Sequence, residues 1–303
     1  MSLIISVIIP AFNSASFLSQ TLNSVLSQIS SRFQLDVVVV DDGSTDETEK
    51  ICLSYGARLR YFRQPHCGFP GTVRNYGLQQ ARGELVAFLD ADDFWLPGSL
   101  ERRVEVLESR PDVGFIYANY FLLQGKEQSL GCVGEDSPSG AIFDRLFRGT
   151  IVLNTDTVLV RRQLVNDIGG FLHDRRTAED YWLWLQLAKR ASAAYVRDPV
   201  AVTRVRAGSI SRIPALEKLP NLIRILESIS RQFQVSSSLA SERLNPLRIW
   251  LTKELFRDGQ YWHALLVFAS ALWEEPERTL QALWEFTKKR AHGRRFREPI
   301  PVR

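Results

Sequence analysis

Leu35-Asp36-Val37-Val38-Val39-Val40-Asp41-Asp42-Gly43-Ser44 is an apolar run that stops on two acids, a glycine and a serine. A strand with one wet face alternates apolar and polar residues, whereas a strand covered on both faces reads as nearly continuous Val, Ile and Leu. The same grammar recurs on either side. Ser6-Val7-Ile8-Ile9-Pro10 runs into Ala11-Phe12-Asn13, and Glu84-Leu85-Val86-Ala87-Phe88-Leu89 runs into Asp90-Ala91-Asp92-Asp93. Helical patterns separate these runs at Ala15–Gln28, at about Asp46–Tyr55 with Ser44 or Asp46 as its cap, and at Gly71–Ala81. The alternation predicts an α/β fold with a doubly wound, mostly parallel sheet flanked by helices.

Farther along, Val113–Leu123 and Thr157–Val160 read as strands, Gly131–Gly140 as a Gly/Ser/Pro-rich loop, and Thr177–Ala188 as a helix that opens on acids. After Ile213-Pro214 the pattern is helical throughout. Leu222, Ile225, Leu226, Ile229 and Phe233 follow one helical face, and Ser236–Ser238, Asp258-Gly259 and Pro276 punctuate the rest. Two regions follow: residues 1–213 as the α/β domain, and residues 214–303 as an all-helical appendage with a basic tail.

Composition narrows the chemistry. The 303 residues are 45% hydrophobic and 24% charged, with seven Trp, which suits a large core rather than disorder. Cys52, Cys67 and Cys132 have no metal-ligand spacing, and their odd number gives no disulfide framework. The four histidines form no HxxxH pair, which argues against a zinc hydrolase. Leu3–Phe12 has no basic flank and is cut by Pro10, so it reads as a strand and not a signal peptide. The apolar run at His263–Trp273 is too short to span a bilayer. A cytoplasmic protein is expected. Phe286–Arg303 holds seven Lys/Arg against one Glu, +6 of the total +4, leaving −2 for the remainder. Such a tail is either simply solvated or touches anionic lipid, which would place the protein peripherally at the inner membrane face. No nucleic-acid partner is expected, because only Phe296 interleaves these cations.

Ligands of an open parallel sheet sit beyond the carboxyl ends of its strands. Here those ends carry Asp41, Asp42, Asp90, Asp92 and Asp93. Five carboxylates in one crevice repel unless a cation or hydrogen-bond donors offset them. A hard divalent ion, Mg²⁺ or Mn²⁺, shared with substrate phosphates fits that set. Either acidic motif alone is also an ordinary turn. Neither GxGxxG nor GxxxxGK[ST] is present, so phosphate charge falls to the metal and to Arg74.

With these residues in hand, the chain resembles the family 2 glycosyltransferases of GT-A fold. The matching stretches are Val7–Asn13, Val39–Asp46, Arg74–Leu78, Gly83–Trp95, Gly169-Gly170-Phe171 and Glu179–Leu185, in family order over about residues 4–213. The resemblance implies a GT-A-type sheet and an inverting, non-processive transfer of a sugar from a nucleotide-sugar donor, commonly UDP-linked. The acceptor would be a hydroxyl of a glycan or glycolipid in cell-surface polysaccharide synthesis.

It also implies roles, residue by residue. Pro10, Asn13, Asp41 and Asp42 would lie beside the nucleotide, with Asp42 on the base or, alternatively, a turn residue only. Arg74 would approach the diphosphate, or else pair with a surface acid. Asp90 and Ala91 would face the donor, Asp90 and Asp92 would hold the metal, and Asp93 would cap the helix starting near Pro97. Asp180 would be the general base with Glu179 beside it, although two acids opening a helix are favoured by its dipole in any case. Trp182 or Trp184 would stack on a sugar or simply fill core. Thr203–Ser211 is similar to the family's closing motif, but Arg206 stands where a His is common. Arg cannot ligate a metal; it can pair with phosphate oxygens. The competing classes are a sugar-nucleotide nucleotidyltransferase, for which Val7–Asn13 lacks the Gly-rich basic loop, and an inactive nucleotide-sugar-binding module, against which Asp92 and Glu179-Asp180 stand.

Overall fold

The computed structural model describes residues 3–131, 138–173, 175, 177–206, 213–274, 276, 277, 279 and 280. Most of the Gly131–Gly140 loop, the end of the Thr203–Ser211 motif and the basic tail lie outside the described residues.

The chain opens with β1 (Leu3–Ala11), α1 (Ala15–Leu26), β2 (Phe33–Asp41), α2 (Thr48–Ser54), β3 (Arg60–Arg63), α3 (Pro70–Gln80) and β4 (Leu85–Phe88). β1 lies between β2 and β4 and runs parallel to both, with β3 parallel on the outer side of β2. Ile5, Val7–Ile9, Val37–Val40 and Leu85–Phe88 are all buried, as their unbroken apolar sequence requires. β3 was hidden in the sequence because Arg60-Tyr61-Phe62-Arg63 is a partly exposed edge strand with no apolar run.

Next come β5 (Phe94–Trp95), α4 (Ser99–Ser109), β6 (Val113–Gln124), β7 (Glu127–Gly131), α5 (Phe143–Arg148), a single 3-10 turn at Thr155–Thr157, β8 (Leu159–Arg161), α6 (Arg162–Ile168), α7 (Glu179–Arg190) and β9 (Ser192–Arg204). The sheet order is β3-β2-β1-β4-β8-β6-β9-β5, with β7 paired to β6. The parallel half ends at β4. β8 runs antiparallel to β4 and β6, β5 antiparallel to β9, and β6 parallel to β9. The sheet is therefore mixed. β9 escapes a periodicity reading because Arg197-Asp198-Pro199 interrupts it, where the pairing with β6 shifts register between Ala118 and Tyr120.

By internal contacts the chain divides into two compact units, residues 1–143 with 151–207, and residues 144–150 with 208–303. The second contains α8 (Ala215–Gln232), α9 (Ser237–Arg257) and α10 (Tyr261–Glu274). α8 buries Leu222, Ile225, Leu226 and Ile229 of the stripe read from the sequence, and Leu219 and Ile223 besides, while Phe233 follows its last turn. Ser236 caps α9 by accepting the Leu239 N–H. Among the described residues, no helix is long and apolar enough to cross a membrane.

Candidate functional site

The ends of β1, β2 and β4 and the loops after them hold most of the expected residues. Pro10 lies two positions past Ile8–Phe88, the last β1–β4 pair, so on that side its missing N–H breaks no rung of the ladder. Asn13 adopts a left-handed backbone, φ +46°, which Asn tolerates better than most residues. Its N–H donates to Ser44 Oγ at 2.9 Å and its Oδ1 accepts the Thr45 N–H at 2.8 Å. Asn13 thus ties the first strand-end loop to the second.

Asp41 and Asp42 divide that second loop between them. Asp41 is fully buried, with Oδ1 accepting the Ser44 N–H at 2.8 Å and Oδ2 accepting the Tyr61 hydroxyl at 2.6 Å. Its carboxylate holds the turn from within. Asp42 Oδ1 accepts from Gln64 Nε2 and from the Cys67 N–H, and its Oδ2 accepts the Gly68 N–H. Burial pushes its pKa up, but these N–H donors outweigh burial and hold it below the usual carboxylate range. The His66 ring stacks on Phe12 with centroids 4.1 Å apart and planes 19° from parallel. The 64–68 segment therefore closes over the ends of β1 and β2.

Arg74 of α3 is nearly buried and joins two distant motifs. Its Nη2 donates to Asp90 Oδ1 at 2.6 Å and its Nη1 to Glu179 Oε1 at 2.9 Å, with its guanidinium carbon 5.4 Å from the Phe171 ring. Burial opposes its charge, yet the carboxylates of Asp90, Glu179 and Asp180 raise its pKa further. α3 can come this close only because residue 71 is glycine: a Cβ there would meet the Leu172 carbonyl at 2.6 Å and Glu179 Cγ at 2.9 Å. Gly170 plays a similar part at φ +84°, since a Cβ would collide with Asn75 Oδ1.

The acids after β4 face different ways. Asp90 is partly exposed and its N–H donates to Asp156 Oδ1 at 3.0 Å. Ala91 is buried, its carbonyl accepting the hydroxyl of Thr21 in α1 at 2.9 Å. Asp92 Oδ2 accepts from Arg206 Nε at 2.5 Å. Asp93 does not cap the following helix, which corrects that expectation; Gly98 precedes α4. Asp93 is instead buried and accepts the Arg204 N–H at 2.6 Å. Burial, then Asp156 and Asp92, push its carboxyl well above the ordinary range.

Asp156 was not anticipated. It is buried in the 3-10 turn, with Oδ2 accepting the Thr203 hydroxyl at 3.0 Å, and burial followed by the Asp90 charge pushes it up to about 7. Among the described residues, Asp90, Asp93 and Asp156 are the acids that bring one oxygen each within 4.8 Å of the others. The grouping differs from the expected Asp90 and Asp92; Asp92 is instead paired with Arg206. An all-oxygen set with one partly exposed member fits a hard divalent cation such as Mg²⁺ or Mn²⁺. One clue to Asp156 was legible: Asn154-Thr155-Asp156-Thr157 is an Asx-turn sequence, and Asn154 Oδ1 does accept the Asp156 N–H at 2.9 Å.

α7 begins at the far side of Arg74. Ala178, before its first residue, has φ +62°, a conformation costing an alanine about 1 kcal/mol and found preferentially at functional sites. Glu179 is buried against Arg74, while Asp180 is partly exposed; Thr155 Oγ1 donates to its Oδ2 at 3.0 Å and the Tyr181 N–H to its Oδ1 at 2.7 Å. Burial and then the charge of Glu179 push Asp180 up to about 7, with Arg74 pulling the other way. Of the two tryptophans, Trp184 packs in the core with Phe88 and Phe171, and Trp182 stays partly exposed.

Comparison with known proteins adds the following. The family model described as glycosyl transferase family 2 matches residues 6–169. An uncharacterized glycosyltransferase of Rickettsia conorii is 32% identical over 196 residues, covering 62% of this chain and 32% of that protein. The Escherichia coli UDP-Glc:alpha-D-GlcNAc-diphosphoundecaprenol beta-1,3-glucosyltransferase WfgD is 29% identical over 189 residues, covering 61% of this chain and 70% of its own. The chain spans between 28% and 64% of the length of the Rickettsia relatives that it matches. Among solved structures, residues 1–349 of S. aureus TarS in complex with UDP-GlcNAc superpose with a TM-score of 0.75 at 20% identity, covering 98% of this chain and 93% of that one. The mannosyltransferase PcManGT from Pyrobaculum calidifontis, in complex with GDP-Man and Mn²⁺, gives 0.60 at 20% identity, covering 95% and 79%. The fold is of the GT-A type.

Proposed function

The chain belongs to glycosyl transferase family 2, and on that premise we propose that it is an inverting, non-processive glycosyltransferase of cell-surface polysaccharide synthesis. It takes a nucleotide-sugar donor, UDP-linked by preference, and a glycan or glycolipid hydroxyl as acceptor, and it works on the cytoplasmic side. The observation that carries this reading is Arg74, whose guanidinium joins Asp90 at the donor end to Glu179 at the acceptor end.

In this reading Asp180 takes the proton from the acceptor hydroxyl as that oxygen attacks the anomeric carbon from the face opposite the leaving diphosphate. A carboxyl raised to about 7 is half ionised near neutral pH, where a general base works best. Thr155 fixes its orientation by one hydrogen bond. Asp90, with Asp93 and Asp156, would hold a divalent cation, and that cation supplies charge neutralisation for the departing nucleoside diphosphate. Arg206 moves from Asp92 to the phosphates when the donor arrives, acting as a bidentate cation. Asp42 and the 64–68 segment face the base, and Phe12, next to Asn13, offers an aromatic ring to it.

The test is a panel of nucleotide sugars with and without Mn²⁺, read by thermal stability and by nucleoside diphosphate release. A ligand that binds only the folded state raises its melting temperature by mass action. One nucleotide should raise it in a metal-dependent way, and Asp180→Asn should keep the rise while losing turnover. If no nucleotide shifts the melting temperature and none is hydrolysed or transferred, the reading fails.

A further inference from the structure

The α10 helix is amphipathic the wrong way round for a helix in a water-soluble unit. It packs along α9 through small residues: Ala264 and Ala271 are both 0% exposed. Its large apolar residues point outward instead, with Trp262 82%, Leu266 68% and Trp273 90% exposed, and Leu265 half exposed. At about 100° per residue, Trp262, Leu265, Leu266 and Trp273 fall within an arc of roughly 100° on one side. Phe256 at the end of α9 extends the patch through its ring contact with Tyr261, 5.7 Å between centroids. From Tyr261 to Trp273 no Asp, Glu, Lys or Arg occurs. Single exposed apolar residues are normal, but a continuous stripe of this size marks a contact surface.

Three observations select the occupant. The helix has 14 residues, about 21 Å, which is too short to cross a bilayer and suited to lying along one. Tryptophans stand toward both ends of the stripe, and indole prefers the boundary between water and hydrocarbon. In sequence, Glu274, Glu275 and Glu277 follow the apolar run, and the residues after them turn basic, reaching +6 over Phe286–Arg303. A second copy carries the same positive charge in its sequence, whereas an anionic surface is complementary to it.

We propose that the outward face of α10 is a membrane-docking surface, seated in the headgroup region of a bilayer containing anionic lipid. Residues Trp262, Leu265, Leu266 and Trp273 enter the apolar boundary, and the basic segment adds electrostatic attraction. Such docking raises the effective concentration of any lipid-linked acceptor without adding a contact at the site. The proposal is independent of glycosyl transfer, because it concerns vesicles that contain no substrate.

The experiment is flotation of the full chain with vesicles of phosphatidylcholine alone and of phosphatidylcholine mixed with phosphatidylglycerol, paired with sedimentation to read the oligomeric state. The wild type should float with the mixed vesicles more than with the neutral ones. Trp262→Ser with Leu266→Ser should lower partitioning roughly tenfold or more, since each buried side chain of this size contributes appreciably. Trp273→Ser alone serves as the second variant if that pair fails to fold. No flotation of the wild type overturns the proposal, as does undiminished flotation of both variants. So does a dimer that the substitutions split while vesicle binding stays the same, which would make the stripe a self-association face.

Discussion

Arg206 donates from Nε to Asp92 Oδ2 at 2.5 Å, across 114 positions of sequence, with Arg206 partly exposed and Asp92 mostly covered. The pair supplies an internal positive charge to an aspartate expected to serve a metal. It also leaves Arg206 stacked over Phe17 at 5.3 Å, close to the crevice rim.

Removing that arginine should act in opposite directions on two ligands. Arg206→Ala frees Asp92 for a cation, so Mn²⁺ affinity should rise. Nucleoside diphosphate affinity should fall by roughly tenfold, the value of one or two charge-assisted hydrogen bonds. Calorimetric titration of each ligand reads both. A nucleotide affinity equal to wild type removes Arg206 from the phosphate site.

Arg74 should be the most costly single truncation of the site. Arg74→Ala leaves Glu179 buried without its cation and should destabilise by about 3–5 kcal/mol, as other broken buried ion pairs do. Arg74→Lys keeps the charge but cannot reach Asp90 and Glu179 together with a planar fork, so it should recover only part of the loss. Denaturant melts of both variants give the comparison.

The pH profile follows from Asp180. A base with its carboxyl at about 7 must be ionised to accept a proton, so turnover should decline as pH falls through 7. Glu179→Gln removes the neighbouring negative charge and should move that limb to lower pH. For stability the sign is the reverse of a salt-bridged carboxylate. The folded chain holds this proton more tightly than the unfolded one, so the contribution is present at low pH and is lost as pH rises through about 7. An activity limb that stays in place in Glu179→Gln assigns it to another group.

Gly71→Val tests the close approach of α3 to the start of α7. The added Cβ meets a backbone carbonyl, which has no rotamer to yield, so the helices must separate. A loss of about 1–3 kcal/mol is expected. Turnover should drop more than donor binding, because Glu179 shifts with the helix. Equal stability would mean that the backbone there relaxes freely.

Chelation should weaken the nucleotide without abolishing its binding. Asp90, Asp93 and Asp156 would lose the cation proposed for them, but Arg206 would stay available to phosphate oxygens. In Arg206→Ala, by contrast, EDTA should remove detectable nucleotide binding. Thermal shift with UDP in the four combinations reads this directly.

Much of this was written in local sequence. The unbroken apolar runs at Ser6–Pro10, Leu35–Val40 and Glu84–Leu89 read as strands buried on both faces, and acids follow the second and third of them. The stripe of α8 was equally plain. What stayed hidden shares a physical cause. β3 is a charged edge strand, β9 is broken in the middle by Arg197-Asp198-Pro199, and β5 is two residues long, so none carries a periodic signal.

Sequence alone determined the fold class and which residue types meet at the strand ends, because period and burial are local properties. It could not decide which carboxylate meets which cation. Asp41, Asp42, Asp90, Asp92 and Asp93 look alike in a string of letters. The tertiary structure buried Asp41 behind its turn, gave Asp92 to Arg206, brought Asp156 in from 66 residues beyond Asp90, and placed Thr155 on Asp180. Those assignments depend on pairings between distant segments, and only folding fixes the distances that set charge, proton affinity and metal fit.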